Sequence, residues 1–365
     1  SPVEVSYLVE EWRYTMKTQY RIGIIGFGSM GRNYADILCA SKRWELVTIC
    51  DVNPQTRASA AEKHPSVGVV ADPEALFADA SLDAVGIFTL ADIRPAFIRR
   101  AIAAGKHVIA EKPLAADMAT EWAMVQEIEA SGLLVAQNLF NRNAWYHQEM
   151  QEFIAAGEIG ELGVISINHQ TPGLMPTEGH APEGPPFHDC GMHYVDVARW
   201  YAGSEYARWH AQGLRMWGYK DAPWWVNVTG TFANDIVFQI TQGFIYGQLA
   251  EKKTEHCGCE CIGTKGIAFF THNFHTVSME LHGTTHTIIK TGLYGDKKLD
   301  VLCESFAQSL DAGRNIGFPT ARDSAIASEV SWDMLNAAAA NNPPMKGTDA
   351  DLQEILAHRR FLRGE

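Results

Sequence analysis

Long apolar runs are missing from this sequence. No stretch of about eighteen apolar residues occurs in the 365-residue chain, so no transmembrane helix is expected. The first residues lack a basic start followed by an apolar run, so no secretory signal is expected either. Basic runs are absent too. With 30 basic against 43 acidic residues the net charge is −13, a field that repels nucleic acid and anionic membrane surfaces. Cysteine is scarce and odd in number: Cys39, Cys50, Cys190, Cys257, Cys259, Cys261 and Cys303 make seven. A core of this size needs no disulfide staples, so free thiols and a cytoplasmic location are expected.

What is present is an ordinary globular composition, 46% apolar and 20% charged, at a length suited to two domains. Residues 1–15 read as an extension before a second start at Met16. From Arg21 the pattern alternates strand and helix. RIGIIGFG, LVTICD, GVVAD, DAVGIFTL, KHVIAEKP and LLVAQNLF read as strands, with helical spacing between them. That alternation means a parallel sheet with helices on both faces, assigned to residues 16–140. Beyond it, residues 141–365 read as an α+β domain. Its strand-like runs ARWHAQGLRMW, WVNVTGTF, DIVFQIT, GFIYGQLA, EHCGCECIG, GIAFFTH, HTVSMEL and THTIIK, with short turns between, suggest a large, mostly antiparallel sheet. Helices return from about Val301.

Gly26-Phe27-Gly28-Ser29-Met30-Gly31 is G-x-G-x-x-G, placed after a strand and opening a helix. Asp51 ends the next strand, at the distance a dinucleotide fold requires. Gly26 permits the tight turn, Gly28 lets the backbone approach a pyrophosphate, and Gly31 lets helix pack on strand. The acid suits both ribose hydroxyls and repels a 2′-phosphate, so NAD is favoured over NADP.

Two other segments carry chemistry. Glu111-Lys112-Pro113 closes a strand at the edge where ligands bind in such sheets. Asp189, His193 and Asp196 share one helix face. Oxidation of an alcohol needs a base for the hydroxyl proton, which suits His193. Lys112 can hydrogen-bond the developing alkoxide, and if it lies near His193 each charge lowers the other's pKa. Asp189 suits a neighbouring hydroxyl. Asp196 either orients the imidazole or caps local backbone.

Together the glycine turn, AGKHVIAEKPLA, the DxxxHxxD helix and the later CIGTKG turn resemble the Gfo/Idh/MocA oxidoreductase family, in order from about Arg21 to Gly347. The resemblance implies a Rossmann domain plus an α/β domain with an open sheet, whose outer face makes a homo-oligomer interface. It implies sugar, cyclitol or related polyol substrates. It assigns catalysis and substrate binding to Lys112, Asp189 and His193, and puts Glu111 near the nicotinamide ribose. The family's TPN-x-x-H stretch departs here to Thr89-Leu90-Ala91-Asp92-Ile93-Arg94. Thr89 is kept as a cofactor contact, and Arg94 stands at the histidine's place. Arg142, in NLFNRNAW, is a candidate substrate contact.

Other features have competing readings. Cys257, Cys259 and Cys261 alternate along a strand, which spaces the sulfurs too far apart for zinc, so no metal is expected. Trp200, Trp209, Trp217, Trp224 and Trp225 form either a platform for a sugar's apolar face or ordinary packing. The Pro/Gly loop 171–187 either shapes the pocket, with His180 and His188 as contacts, or runs over the surface. The sequence thus points to NAD-dependent oxidation of a secondary hydroxyl, leaning to the 3-hydroxyl of a glucoside. An inositol 2-dehydrogenase, a redox-neutral glycoside-cleaving enzyme with retained NAD, and a non-catalytic sugar sensor are the alternatives.

Overall fold

The computed structural model describes residues 17–172 and 181–363. The extension at 1–15 and His180 lie outside the described residues. In the first domain β1 (Tyr20–Ile25), β2 (Trp44–Cys50), β3 (Gly68–Val70), β4 (Ala84–Ile87), β5 (His107–Ala110) and β6 (Val135–Gln137) form a parallel sheet. The order is β3-β2-β1-β4-β5-β6, so the strand order reverses between β1 and β4. The crevice at that reversal is where such sheets bind ligands. Five helices connect the strands: α1 (Ser29–Ala40), α2 (Pro54–Lys63), α3 (Glu74–Ala78), α4 (Arg94–Ala103) and α5 (Met118–Ser131). They start and stop on local chemistry. Asn53 caps α2, Asp117 caps α5, and Gly132 ends α5 with φ 68°. Strands buried on both faces read as continuous apolar runs, and β4 is buried at every position.

The second domain opens with α6 (Trp145–Ala155), β7 (Leu162–Gln170), the short α7 (Pro186–Asp189) and α8 (Gly191–Ala202). The strands β8 (Tyr206–Met216), β9 (Trp225–Phe232), β10 (Val237–Gly243), β11 (His256–Gly263), β12 (Ile267–His272), β13 (Thr276–His282) and β14 (Thr287–Leu293) follow. The chain closes with α9 (Leu299–Ala312), α10 (Ala321–Ala340), β15 (Met345–Lys346) and α11 (Asp349–Arg363). The nine-stranded sheet runs β14-β13-β12-β11-β7-β10-β9-β8-β15. Its pairs are antiparallel except β7 with β10 and β8 with β15. Side chains alternate along β13 between buried and exposed or half-buried. One face packs under α6, α8 and α10, and the opposite face carries exposed Val237 and Ile262.

Two expectations need correction. GFIYGQLA is a turn, not a strand: Gly247 takes φ 63°, and the Gln248 side-chain amide donates to the Phe244 carbonyl at 2.6 Å. In LLVAQNLF only Val135–Gln137 is strand, and Phe140–Asn143 coils into a 3-10 turn. Helix α9 follows the boundary at 140 yet packs on the first core. Leu302, Cys303 and Phe306 of α9 pack with Trp44 in the first domain, and the Trp44 indole donates to the Cys303 carbonyl at 2.9 Å. Helix α10 serves both cores, with Ala325 in the first and Met334 and Leu335 in the second.

The tryptophans do not form one wall. Trp200 and Trp209 pack on the second core, while Trp217 and Trp224 join Phe244 and Ile355 of α11 in a separate cluster. Cys259 and Cys261 face the apolar core. Among the described residues no helix is long and apolar enough to cross a membrane, and no group of three or more His, Cys, Asp or Glu is disposed to hold a metal.

Candidate active site

The turn after β1 is shaped by the absence of side chains. Gly26 has φ 91°, and a Cβ there would lie 2.8 Å from the Phe88 carbonyl oxygen. A Cβ on Gly31 would lie 2.0 Å from the Gly26 carbonyl oxygen, so only glycine lets α1 start this close to the strand. At Gly28 a Cβ would meet nothing within 4 Å, which leaves that backbone open to a ligand. The first turn of α1 has no side-chain cap, so the N–H groups that begin it suit a pyrophosphate. Asp51 sits beside the turn: its carboxylate accepts from the Phe27 and Asn53 amides, both at 2.8 Å. A cradle closed to side chains, an uncapped helix start and an adjacent carboxylate are the donor and acceptor set a dinucleotide requires.

Across the crevice Lys112, Asp189 and His193 come together. The Lys112 ammonium, just beyond β5, donates to the Asp189 carboxylate and, at 2.6 Å, to the Asp189 carbonyl. The peptide bond between Lys112 and Pro113 is cis. Burial alone pushes the Lys112 pKa down, but the Asp189 charge and hydrogen bond outweigh it, and the net shift is upward. His193 lies in the first turn of α8, almost fully buried, with the Phe140 ring centroid 4.5 Å away. Burial first, then the charges of Lys112 and Lys297, drive its pKa well below the ordinary value. The expected mutual lowering is thus half right: His193 is lowered, while Asp189 reverses the sign for Lys112. A neutral imidazole beside a charged ammonium is the pairing an alcohol oxidation needs.

Glu111 and Thr89 also border the crevice. The Glu111 carboxylate accepts from Asn138 at 2.9 Å, and the buried Thr89 hydroxyl has no hydrogen-bond partner among the described residues. Arg142 is not brought to this group. Its guanidinium pairs with both Asp196 oxygens, at 2.7 and 2.6 Å, and with Asp323 at 3.2 Å. That pair also answers the question over Asp196, which holds Arg142 rather than the His193 ring. His188 is buried, with each ring nitrogen within 2.8 Å of a protein acceptor or hydroxyl, so it is no ligand contact.

The sequence does not reveal the contacts of several residues around the site. Arg94 is buried, donates to the Thr89 and Pro113 carbonyls, and pairs with Glu183 at 3.1 Å. Glu183 also accepts from the Ala91 amide at 3.0 Å, tying the end of the Pro/Gly loop to the first domain. Only a basic residue at 94 and an acid in that loop hinted at this. His169, ending β7, is buried, close enough for its charge to lower His193, and burial pushes its own pKa down to about 3. Phe274 packs edge-on against His169 and His272 and holds φ 61°, a conformation rarely taken by bulky residues. Lys297 reaches from the second domain to within 3.5 Å of the Met30 sulfur in the glycine turn.

Comparison with known proteins bears on the family and the fold. The family profile described as "Oxidoreductase family, NAD-binding Rossmann fold" matches residues 20–139, and the Gfo/Idh/MocA C-terminal domain profile matches residues 147–269. An inositol 2-dehydrogenase of Acidiphilium cryptum is 30% identical over 188 residues, 51% of this chain and 55% of that protein. A D-glucoside 3-dehydrogenase of Escherichia coli is 27% identical over 189 residues, 50% of this chain and 54% of that protein. These matches span little more than half the length of the curated relatives. A myo-inositol dehydrogenase structure from Corynebacterium glutamicum shares the fold, with TM-score 0.75 and 22% identity over 88% of this chain and 97% of that one. The chain belongs to the Gfo/Idh/MocA oxidoreductase family, and its first domain is an NAD-binding Rossmann domain.

Proposed function

We propose that the protein is an NAD-dependent dehydrogenase that oxidises a secondary hydroxyl of a sugar, glycoside or cyclitol, with the 3-hydroxyl of a glucoside as the leading candidate. The observation that carries this reading is the meeting of Lys112, Asp189 and a neutral His193 across the crevice from the glycine turn. NAD bound in that turn supplies the hydride acceptor. His193 takes the hydroxyl proton, and its buried, neutral ring is ready to do so. The Lys112 ammonium stabilises the oxygen as negative charge develops. Asp189 holds Lys112 in place and offers an acceptor to a neighbouring hydroxyl.

The half-buried rings of Phe140, beside His193, and Phe274, against His169, support the glycoside preference as apolar surface for a sugar or aglycone. The uncovered face of the nine-stranded sheet supports a homo-oligomer, and the free cysteines support a cytoplasmic setting. Light scattering and cell fractionation test these two points.

The activity test uses the protein as purified. Absorbance and fluorescence report bound nicotinamide. Glucosides and inositols are then added with NAD⁺ and followed at about 340 nm, where reduced nicotinamide absorbs. Steady NADH growth with a glucoside supports the reading and ranks the substrates. Growth with inositols alone overturns the glucoside preference. An altered sugar without net NADH replaces simple oxidation with a recycled cofactor. Bound cofactor with every sugar unchanged overturns the catalytic reading.

A further inference from the structure

Helix α10 lies between the two cores, and its buried Ser328 touches both sides. The Ser328 hydroxyl is 2.6 Å from a Glu121 carboxyl oxygen on α5 and 2.7 Å from His188 Nε2 on α7. His188 Nδ1 lies 2.8 Å from the Glu183 carbonyl oxygen. Glu121 is 1% exposed, Ser328 0% and His188 2%. None of the three takes part in the proposed chemistry, yet His188 immediately precedes Asp189.

Counting protons restricts the states of this chain. A carbonyl oxygen only accepts, so Nδ1 carries a proton. The serine has one proton to give. Given to Nε2, it leaves Glu121 as the donor to the serine oxygen, so Glu121 is protonated. Given to Glu121, it requires a second proton on the imidazole, which is then a cation. A single mobile proton thus sits either on Glu121 or on His188. Met118 Sδ, 3.4 Å from the hydroxyl, is a weaker acceptor than either.

The surroundings choose between the two. A cationic His188 would face Lys112, with Asp189 only partly offsetting it. Burial pushes the His188 pKa down to about 4 and that of Glu121 up to about 8. Around Glu121, Arg94, the Leu114 amide and the Ser328 hydroxyl favour the ionised form and Asp117 opposes it, and none of them outweighs burial.

We propose that Glu121, Ser328 and His188 form a buried one-proton chain in which Glu121 keeps its proton at neutral pH, holds His188 neutral and so fixes the 183–189 segment that presents Asp189 to Lys112. Glu121, Ser328 and His188 are positioning residues, and they link the nucleotide-binding domain to the substrate side of the crevice. The inference rests on the dehydrogenase reading in its kinetic arm alone.

Two arms need no activity. The infrared difference between the full-length protein and Glu121→Gln at pH 7 is expected to show the carbonyl stretch of a protonated carboxylic acid lost in the variant, with a downshift of that band in D₂O. No such band overturns the proposal. Thermal melts across pH give a second readout. A carboxyl with a folded pKa above its unfolded value loses stability as pH rises, through the folded pKa. The Glu121→Gln protein therefore gains on the wild type between about pH 5 and 8 and keeps a constant lead above that. A constant gap across this range overturns the proposal.

The kinetic arm compares variants that melt cooperatively. Ser328→Ala lowers kcat/KM at least about tenfold with NADH affinity unchanged, because Asp189 is no longer held. Glu121→Gln, which can donate to the serine as the protonated acid does, restores most of kcat/KM relative to Glu121→Ala and removes the wild-type decline above about pH 8. Unchanged kinetics in Ser328→Ala would overturn the positioning role even if the infrared band is present. Absence of turnover in every protein, with the band and the melting gap intact, would sink the dehydrogenase reading and leave the one-proton chain standing.

Discussion

The two sides of the crevice are built differently. The dinucleotide side is six consecutive residues, Gly26 to Gly31, shaped by where a Cβ cannot go. The proposed substrate side joins Lys112 to Asp189, 77 positions away, and is shaped by charge and burial. The first arrangement depends on local backbone. The second depends on both domains holding their places, so single changes should separate cofactor binding from catalysis.

The sharpest test of that separation is Lys112→Met. Without the ammonium the alkoxide loses its donor, and kcat/KM falls about a thousandfold. NADH affinity, measured by fluorescence titration, is expected to stay within about threefold, because the phosphate turn is untouched. His193→Asn is expected to behave in the same way. A parallel collapse of cofactor affinity in both variants would show that the two sides are not separable.

Arg142→Met probes the boundary between site and scaffold. It strands Asp196, which is 1% exposed, as an unpaired buried acid. The expected cost is about 3 kcal/mol of stability, seen as a lower Tm. Burial holds the Asp196 pKa up at about 6 despite Arg142, so the variant can recover part of this loss by protonation at acid pH. The KM for sugar is expected to stay unchanged. A large rise in KM with an unaltered Tm would return Arg142 to the substrate site.

The same contrast explains what could be read from sequence. The glycine turn, Asp51 and the Rossmann strands were legible because each is a short-range pattern with one physical reading. Lys112, Asp189 and His193 were legible as candidates, through spacing and family resemblance, but their electrostatics were not. The rise of Lys112 comes from a hydrogen bond that spacing cannot reveal. The pairing of Arg142 is not legible in sequence because its partners, Asp196 and Asp323, come from two different helices. The Arg94–Glu183 pair is hidden for a similar reason, its partners being 89 positions apart. The placement of α9 in the first core follows from Trp44 and Phe306 stacking at 5.9 Å, a meeting of distant segments that no periodicity encodes.

The pH profile of oxidation adds a smaller, directional effect. In the proposed mechanism the base is unprotonated His193, whose pKa is lowered chiefly by burial. As pH falls through about 6.5, an ordinary histidine would take up a proton and kcat/KM would drop. Here that limb is expected well below pH 6.5, leaving kcat/KM flat across neutral pH. A limb near 6.5 would mean that His193 is solvated in the working enzyme, or that another group is the base.

The smallest expected effect concerns Lys297, which blurs the division between the two sides. It belongs to the second domain yet ends 3.5 Å from Met30, within the phosphate turn. An exposed cation there attracts the pyrophosphate through solvent, so its contribution is modest and screened by salt. Lys297→Ala is expected to weaken NADH binding about threefold at low ionic strength and to have little effect at high salt. Melting temperature is expected to stay the same, because the lysine makes no ion pair among the described residues. Its charge also helps to lower His193, so the acid limb of the pH profile is expected to move slightly upward in this variant. A change in affinity without that movement would confine Lys297 to the cofactor. Movement without a change in affinity would place it with the catalytic group instead.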